Sequence, residues 1–375
     1  MQRNQFRGRQ AIDIFNNFAS TTTSTDAIDA FLSMQQKLPL HVAVRQFLIY
    51  HDGDLETTIL AKFRGWFHKL DLVNPLASVF RLDALNGDDE LQKTGCFIII
   101  PSIESNIYRL LSVSFSRFWY QMIRRLVKEL YPEAMPVFFR QAEIQDAFTS
   151  FEKQFYPTFR VRIADVTMKG KRGNRNFDTE RLWTDLSISE IFENAEERNL
   201  WFTSLKFIIQ QQVGRSERFK YVASGRLYKR GELFYDFYHS EIVSYLLAPL
   251  AGYSAERLRL LSRRGIRERN YKPGFPLEIF YADDVFSDVS EIRRFGETIQ
   301  QYQNATKAVF HGNPYYHASV ADFLDGSSFE VWIASPSRVI IVPQARSSAQ
   351  AFERLLAHIL LEYKEGRINE YTGAE

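Results

Sequence analysis

The feature that most constrains the fold is a regular alternation of strand-like and helix-like segments along the first 160 residues. Stretches typical of strands, rich in β-branched and aromatic residues, fall at 42–50, 97–100, 107–115 and 137–139. Helical spacing of apolar residues falls between them, at 55–70, 117–131 and 142–155. This alternation predicts helices layered on a sheet, so the predicted fold class is α/β, with α+β as the alternative.

The middle of the chain reads as a helix followed by a β-meander. Ser187 and Glu190 match the capping box that begins a helix, and apolar spacing carries that helix to about Gln212. Strands are predicted at 219–222, 226–229 and 233–238. Two short helices follow, one ending near Pro249 and one beginning at Ser254.

The last hundred residues predict a compact α/β unit. Its strands are expected at 277–281, 308–310, 329–333 and 339–342. Its helices are expected at 289–303 and from the capping box at 347–350 to about residue 365.

These patterns divide the chain into four segments. We expect an N-terminal arm and helix at 1–40, an α/β domain at 41–180, a helical and β-meander basic region at 181–272, and an acidic C-terminal α/β domain at 273–375. The net charge is +2, but residues 276–375 carry eight Lys/Arg against fourteen Asp/Glu, or −6. The basic front and acidic end therefore predict different partners for the two parts.

Cysteine content and hydropathy limit the location of the protein. Cys96 is the single cysteine, so an intrachain disulfide is excluded, and its place at the head of an apolar run favours a buried hydrophobe over a nucleophile. Cysteine poverty fits a reducing compartment. The N-terminus is not a signal peptide, and no run approaches the ~18–20 apolar residues of a spanning helix. We therefore expect a soluble, cytoplasmic protein with no membrane partner.

Three turns combine two basic residues with a glycine: Lys171-Arg172-Gly173, Lys229-Arg230-Gly231 and Arg263-Arg264-Gly265. Lys and Arg on exposed loops bind phosphate backbones. Aromatic residues lie on both sides of the second turn in the sequence, and aromatic side chains beside basic ones are surfaces on which bases stack. Solvated turns are the alternative. The residues predicted to bind nucleic acid are Lys169, Lys171, Arg172, Arg175, Lys229, Arg230, Arg263, Arg264 and Arg267.

Acidic residues in the C-terminal segment offer a different chemistry. Asp283, Asp284, Asp325 and Glu330 follow or begin strands, where carboxylates can hold Mg²⁺ for phosphodiester hydrolysis. The residue two beyond Glu330 is Trp332, whereas the usual nuclease pattern has a lysine there. Mg²⁺ is the one cofactor considered, and only under this alternative. The cluster at 51–54 reads as a turn with a helix cap rather than a metal site.

The leading hypothesis is a non-catalytic nucleic-acid-binding protein, or a subunit of a cytoplasmic nucleoprotein assembly, that uses its basic middle region. Its acidic C-terminal domain would contact another protein. One alternative is the metal-dependent nuclease, and another is a structural assembly subunit that binds only protein. The sequence contains no phosphate-binding loop, dinucleotide fingerprint or nucleophile elbow, so none of these motifs indicates a particular reaction.

Overall fold

A computed structural model describes residues 44–64, 69–74, 79–83, 95–102, 106–113, 116–172, 175–183, 187–197, 200–213, 218–265, 276–312, 315–344 and 346–371. The chain divides into two units, Met1–Ala255 and Glu256–Glu375. Each contains one antiparallel sheet with helices, which confirms a mixed α/β fold. The predicted arm and helix at 1–40 lie outside the described residues.

The first unit is built on one large sheet. Its strands are β1 (Val44–His51), β2 (Lys69–Asn74), β3 (Val79–Asp83), β4 (Gly95–Pro101), β5 (Ile107–Val113), β6 (Ala134–Pro136), β7 (Phe159–Arg172), β8 (Arg175–Trp183), β9 (Leu200–Gln212), β10 (Phe219–Tyr228) and β11 (Glu232–Phe237). The order is β2-β3-β4-β5-β1-β11-β10-β9-β7-β8, and β6 also pairs with β1. The sheet therefore joins strands from the predicted segments 41–180 and 181–272.

Helices pack on this sheet through alternate residues of its strands. They are α1 (Leu55–Phe63), α2 (Ser116–Phe118, a π-helical turn Trp119–Ile123, then Arg124–Glu129), α3 (Gln141–Phe155), α4 (Ile188–Glu197) and α5 (Ser240–Gly265). On one face, Phe47 and Leu110 are register partners and join α1 and α2 in a fully apolar core. Two-residue periodicity thus supplies the helix-packing face.

Local capping signals begin two of these helices as predicted. The Asp54 carboxylate accepts hydrogen bonds from the amides of Glu56 and Thr57, which confirms a turn with a helix cap at 51–54. Ser187 and Glu190 form the reciprocal capping box, with Glu190 accepting from the Ser187 amide at 2.8 Å. Each cap satisfies amides that have no partner within the helix.

The prediction of one helix from Ser187 to Gln212 was wrong in its second half. The helix ends at Glu197, and β9 then pairs with β7 on one side and β10 on the other. The stretch Leu200–Gln212 is rich in aromatic and β-branched residues, which suit a strand with neighbours on both edges. The two ladders of hydrogen bonds outweigh the helical spacing of Trp201, Leu205 and Ile208.

The prediction of two short helices around Pro249 was also wrong. The single helix α5 runs from Ser240 to Gly265 with Pro249 inside it. Proline removes one helical hydrogen bond and costs about 3 kcal/mol. Burial of apolar side chains on both sides of the proline, including Leu246, Leu247 and Leu250, offsets this cost.

The second unit has a six-stranded sheet. Its strands are β12 (Leu277–Phe280), β13 (Ala305–His311), β14 (His317–Asp322), β15 (Ser328–Ser335), β16 (Arg338–Pro343) and β17 (Arg367–Glu370), in the order β13-β14-β15-β16-β12-β17. Its helices are α6 (Val289–Gln301) and α7 (Ala349–Glu362), with a 3₁₀ turn at Val285–Ser287. The cap of α7 is Ser348, which accepts from the Ala351 amide at 3.0 Å. Phe352 of α7 packs on Phe329 of β15, with ring centroids 5.2 Å apart.

Candidate nucleic-acid interface

Strand register brings two of the three basic turns to the same end of the first sheet. Ser204 of β9 is the register partner of both Thr167 in β7 and Tyr228 in β10. Because β7 and β10 are both antiparallel to β9, they run in the same direction. Lys169 and Arg230 each lie two residues beyond this shared row. Two interstrand spacings of about 4.8 Å separate Thr167 from Tyr228 by about 10 Å in this row. Lys169 follows after a bulge in the β7–β9 ladder, and Arg230 lies in the turn after β10, so both are at the same end of the sheet.

The β10–β11 turn exposes one of its two cations. Arg230 is exposed, whereas Lys229 is only 1% exposed and its Nζ lies 4.7 Å from the centre of the Phe202 ring. The backbone of Lys229 is also fixed, because its amide donates to the Thr203 carbonyl and its carbonyl accepts from the Phe139 amide. Burial takes Lys229 out of reach of a ligand on the surface, so Arg230 is the accessible cation of this turn.

Glycine is required in this turn for two reasons. Gly231 has φ +73°, a conformation that costs other residues roughly 1–2 kcal/mol. A Cβ atom there would lie closer than 3.0 Å to the Val137 carbonyl oxygen and 3.3 Å from that of Leu48. The Gly231 carbonyl accepts from the Leu48 amide at 3.0 Å, so the turn is anchored to β1. The position of Arg230 is therefore set by tightly packed backbone.

The first basic turn forms a hairpin, as predicted. Strands β7 and β8 pair out to Arg172 and Arg175, and residues 173–174 between them lie outside the described ranges. Lys169, half-buried, lies in β7 opposite Trp201. Lys171 lies two residues farther along, so the hairpin carries basic positions about 7–10 Å beyond Lys169.

The third basic turn belongs in part to another unit. Arg263 and Arg264 lie in the last turn of α5, within the unit Glu256–Glu375, and Arg267 lies outside the described residues. Basic residues are common at such a position, since cations stabilise the negative end of a helix dipole. Register brings the first two turns together and does not involve this one.

Beside the β10–β11 turn lies a group of aromatic and charged side chains, which we call the aromatic–arginine cluster. Its members are Tyr120, Arg124, Tyr228, Glu232 and Phe234. The ring centroid of Phe234 lies 6.4 Å from that of Tyr120 and 5.3 Å from that of Tyr228. The Arg124 guanidinium lies 4.5 Å from the Tyr120 ring centre, within cation–π range. Tyr120 is 47% exposed, so its ring is accessible from solvent.

Glu232 fixes the arginine of this cluster. Its carboxylate accepts two hydrogen bonds from Arg124, at 2.9 and 2.6 Å, and one from the Trp119 indole at 2.6 Å. Burial acts to lower the pKa of Arg124, but the bonds to Glu232 hold it above its ordinary value. Burial also raises the pKa of Tyr228. Arg124 is therefore held as an ion pair with Glu232, beside the exposed Tyr120 ring.

Arg226 and Lys206 on this part of the sheet are paired with carboxylates, as is Arg124. Arg226 in β10 bonds to the fully buried carboxylate of Asp165, and Lys206 in β9 pairs with Asp236 in β11 at 2.8 Å. The side chains of Arg226 and Lys206 are 17% and 33% exposed, respectively, against 42% for Arg124. We therefore assign neither Arg226 nor Lys206 to the interface.

The four carboxylates of the nuclease hypothesis do not converge. Asp283 follows β12 at the end where Phe280 pairs with Arg338, whereas Asp325 precedes β15 at the end where Phe329 pairs with Pro343. The six residues of β16 separate these ends by about 17 Å.

Three of these carboxylates make side-chain contacts that give them a structural role. Asp283 pairs with Lys364 at 3.2 Å, Asp325 accepts from Ser348 at the start of α7, and Glu330 lies 2.7 Å from His317 Nε2. Asp284 is exposed before the 3₁₀ turn. In the part of the chain that the structure describes, no three His, Cys, Asp or Glu side chains are grouped to hold a metal ion.

Sequence reasoning missed Tyr120 and Arg124. The signal was an aromatic and a basic residue four positions apart on a helix, which places both on one face.

In comparisons with models of protein families and with curated proteins, the sequence gives no match. Within the described ranges, no helix combines the length and apolar character needed to cross a membrane.

Proposed function

We propose that this chain is a non-catalytic, cytoplasmic nucleic-acid-binding protein whose interface lies at the basic end of the first sheet. The observation that carries the proposal is the shared register of β7, β9 and β10. It brings Lys169 and Arg230 to the same end of the sheet, next to the aromatic–arginine cluster. Backbone phosphates would contact the two cations and the β7–β8 hairpin.

The aromatic–arginine cluster supplies the second part of the interaction. An exposed ring such as Tyr120 offers a face on which a base can stack, and a neighbouring guanidinium strengthens that contact. Stacking needs an unpaired base, because the faces of bases in a duplex are covered by their neighbours. We therefore propose single-stranded nucleic acid as the preferred ligand. Stacking does not depend on base identity, so the ligand needs no particular sequence.

The test is a titration of fluorescent single-stranded and duplex oligonucleotides with the full chain across a salt series. Each phosphate contact contributes about 0.7 to the logarithmic salt slope for a single strand and about 0.9 for a duplex. The double variant Lys169→Glu/Arg230→Glu should therefore lower the single-strand slope by about 1.4. Tyr120→Ala should weaken single-strand binding by about 5- to 150-fold, the usual effect of losing one stacked base.

A matched control lies on the same strands at their other end. Lys153, in the last turn of the helix before β7, and Lys220, near the start of β10, are both exposed. Lys220 precedes Tyr228 by eight residues, or about 27 Å of strand. Lys153→Glu/Lys220→Glu changes the net charge equally and should leave the salt slope near that of wild type. Equal losses in the two double variants, or no wild-type binding at low salt, would reject the proposed interface.

We further propose that the second unit contacts a basic protein partner. Phe310 and Trp332 are 55% and 42% exposed and flank His317, with ring centroids 4.8 and 5.1 Å from the histidine ring. Strand β13, which contains Phe310, is at the edge of the sheet. Residues 276–375 carry a charge of −6, which favours a cationic partner.

Substitution of the exposed aromatic residues tests this second surface. Phe310→Ser/Trp332→Ser should release a protein that copurifies with the wild-type chain from its native cells. Tyr156→Ser, at an exposed aromatic of the first unit, should retain it. A copurifying protein that is equally abundant with all three chains would rule out this surface.

A further inference from the structure

An arginine lies inside the first unit where strand periodicity calls for an apolar residue. Arg109 alternates with Ile107 and Leu111 in β5, and all three are buried, with Arg109 8% exposed. A buried charge is costly unless a group of opposite charge and a full set of hydrogen bonds compensate it. The neighbours of Arg109 therefore decide how its charge is accommodated.

Every hydrogen-bond partner of this guanidinium is uncharged. Its Nη1 donates to Ser244 Oγ at 2.9 Å, and its Nη2 donates to Gln46 Oε1 at 3.3 Å and to the Tyr238 hydroxyl at 2.5 Å. Ser244 in turn donates its proton to the Ser240 carbonyl. Among the described residues, Arg109 forms no ion pair with a carboxylate. Its positive charge is thus hydrogen-bonded but not neutralised.

The unused polar atoms of the same group are all able to donate. Arg109 Nε, Gln46 Nε2 and the Tyr235 hydroxyl are buried, and none has a hydrogen-bond partner in the described part of the chain. The orientation of Gln46 follows from Arg109, because its Oε1 must accept from the guanidinium. Tyr235 is fully buried and pairs with Val44, two residues before Gln46. Its ring centroid lies 4.7 Å from that of Tyr238, whose hydroxyl accepts from Arg109. A group that satisfies these donors must accept hydrogen bonds.

We propose that Arg109, Gln46 and Tyr235 form a buried binding site for a small monovalent anion such as chloride. An anion would accept hydrogen bonds from the unused donors and would also neutralise the charge of the guanidinium. A water molecule would accept hydrogen bonds but would leave the charge unneutralised. Ser244, which accepts from Arg109, lies in the second turn of α5, near the N-terminal end of that helix. Val44, the register partner of Tyr235, and Leu111, the register partner of Gln46, are fully buried, and such close apolar neighbours favour a monatomic anion over a larger one. All these residues lie in Met1–Ala255, and the site does not depend on the proposed function.

Bromide provides the direct test, because it replaces chloride and is identified by anomalous scattering. Crystals of the full wild-type chain prepared in bromide should show an anomalous peak within about 3.5 Å of Arg109 Nε. Density for water alone, or no density at that position, would overturn the proposal.

A solution experiment tests the same site through stability. At constant ionic strength, replacing gluconate with chloride should raise the Tm of the wild-type chain until the effect saturates, because a ligand that binds only the folded state stabilises it. Arg109→Gln should abolish that rise. The control is Arg45→Gln, which removes another buried arginine from the same sheet. It should lower the Tm but keep the chloride-dependent rise. An undiminished rise in Arg109→Gln would contradict the proposal.

Discussion

Gly231 offers a direct test of how the β10–β11 turn is held. Replacement by alanine requires an L-residue at φ +73°, which costs roughly 1–2 kcal/mol. The new Cβ also meets the Val137 carbonyl oxygen at less than 3.0 Å, and backbone cannot rotate away as a side chain would. Crowding of this kind costs typically 1–3 kcal/mol. Gly231→Ala should therefore destabilise the first unit by about 2–5 kcal/mol.

Urea unfolding monitored by tryptophan fluorescence measures this change, since Trp119 is fully buried in the core of the first unit. The control is Gly53→Ala in the same unit, where the nearest atom to an added Cβ is a side-chain carbon of His51 at 3.3 Å. Its unfolding free energy should stay within about 1 kcal/mol of wild type, as expected for glycine at an ordinary φ. A Gly231→Ala loss no larger than the control loss would refute this account of the turn.

Three further substitutions probe the chain elsewhere. Burial acts to raise the pKa of Asp325, but hydrogen bonds from Ser348 and Ser327 hold it below 3.8, so its carboxylate stabilises the folded state above that pH. Stability should fall as pH drops below about 4, and Asp325→Asn should flatten that dependence in acid-unfolding curves. Glu353→Gln should cost roughly 3–5 kcal/mol in urea unfolding, because it breaks the buried ion pair between Glu353 and Arg257. Pro249→Ala restores one helical hydrogen bond and should raise the Tm measured by circular dichroism.

Local signals predicted element positions where short-range chemistry decides them. The caps at Asp54 and Ser187 depend on groups two or three residues away, and sequence spacing contains all of that information. Strand β9 is different, because its state depends on pairing with β7 and β10, whose residues are distant in sequence. A capping box followed by helical apolar spacing could not reveal those ladders.

The candidate interface was predicted only in part, for the same reason. Lys229 and Arg230 are adjacent in sequence, but the first packs on Phe202 and the second faces solvent. The aromatic–arginine cluster is equally non-local, since Arg124 and Glu232 are separated by 108 positions. Burial and long-range pairing decide which cations remain accessible. The amino-acid composition of a segment carries no information about either.

The shared register of β7, β9 and β10 restricts how this protein can vary through evolution. Deleting one residue from β9 would turn the following side chains to the opposite face unless a bulge absorbs the change, as bulges already do in both of its ladders. Deleting two residues would preserve the faces but slide Arg230 past Lys169 by about 7 Å. Homologues that keep both cations in use should therefore conserve strand length more strictly than strand sequence.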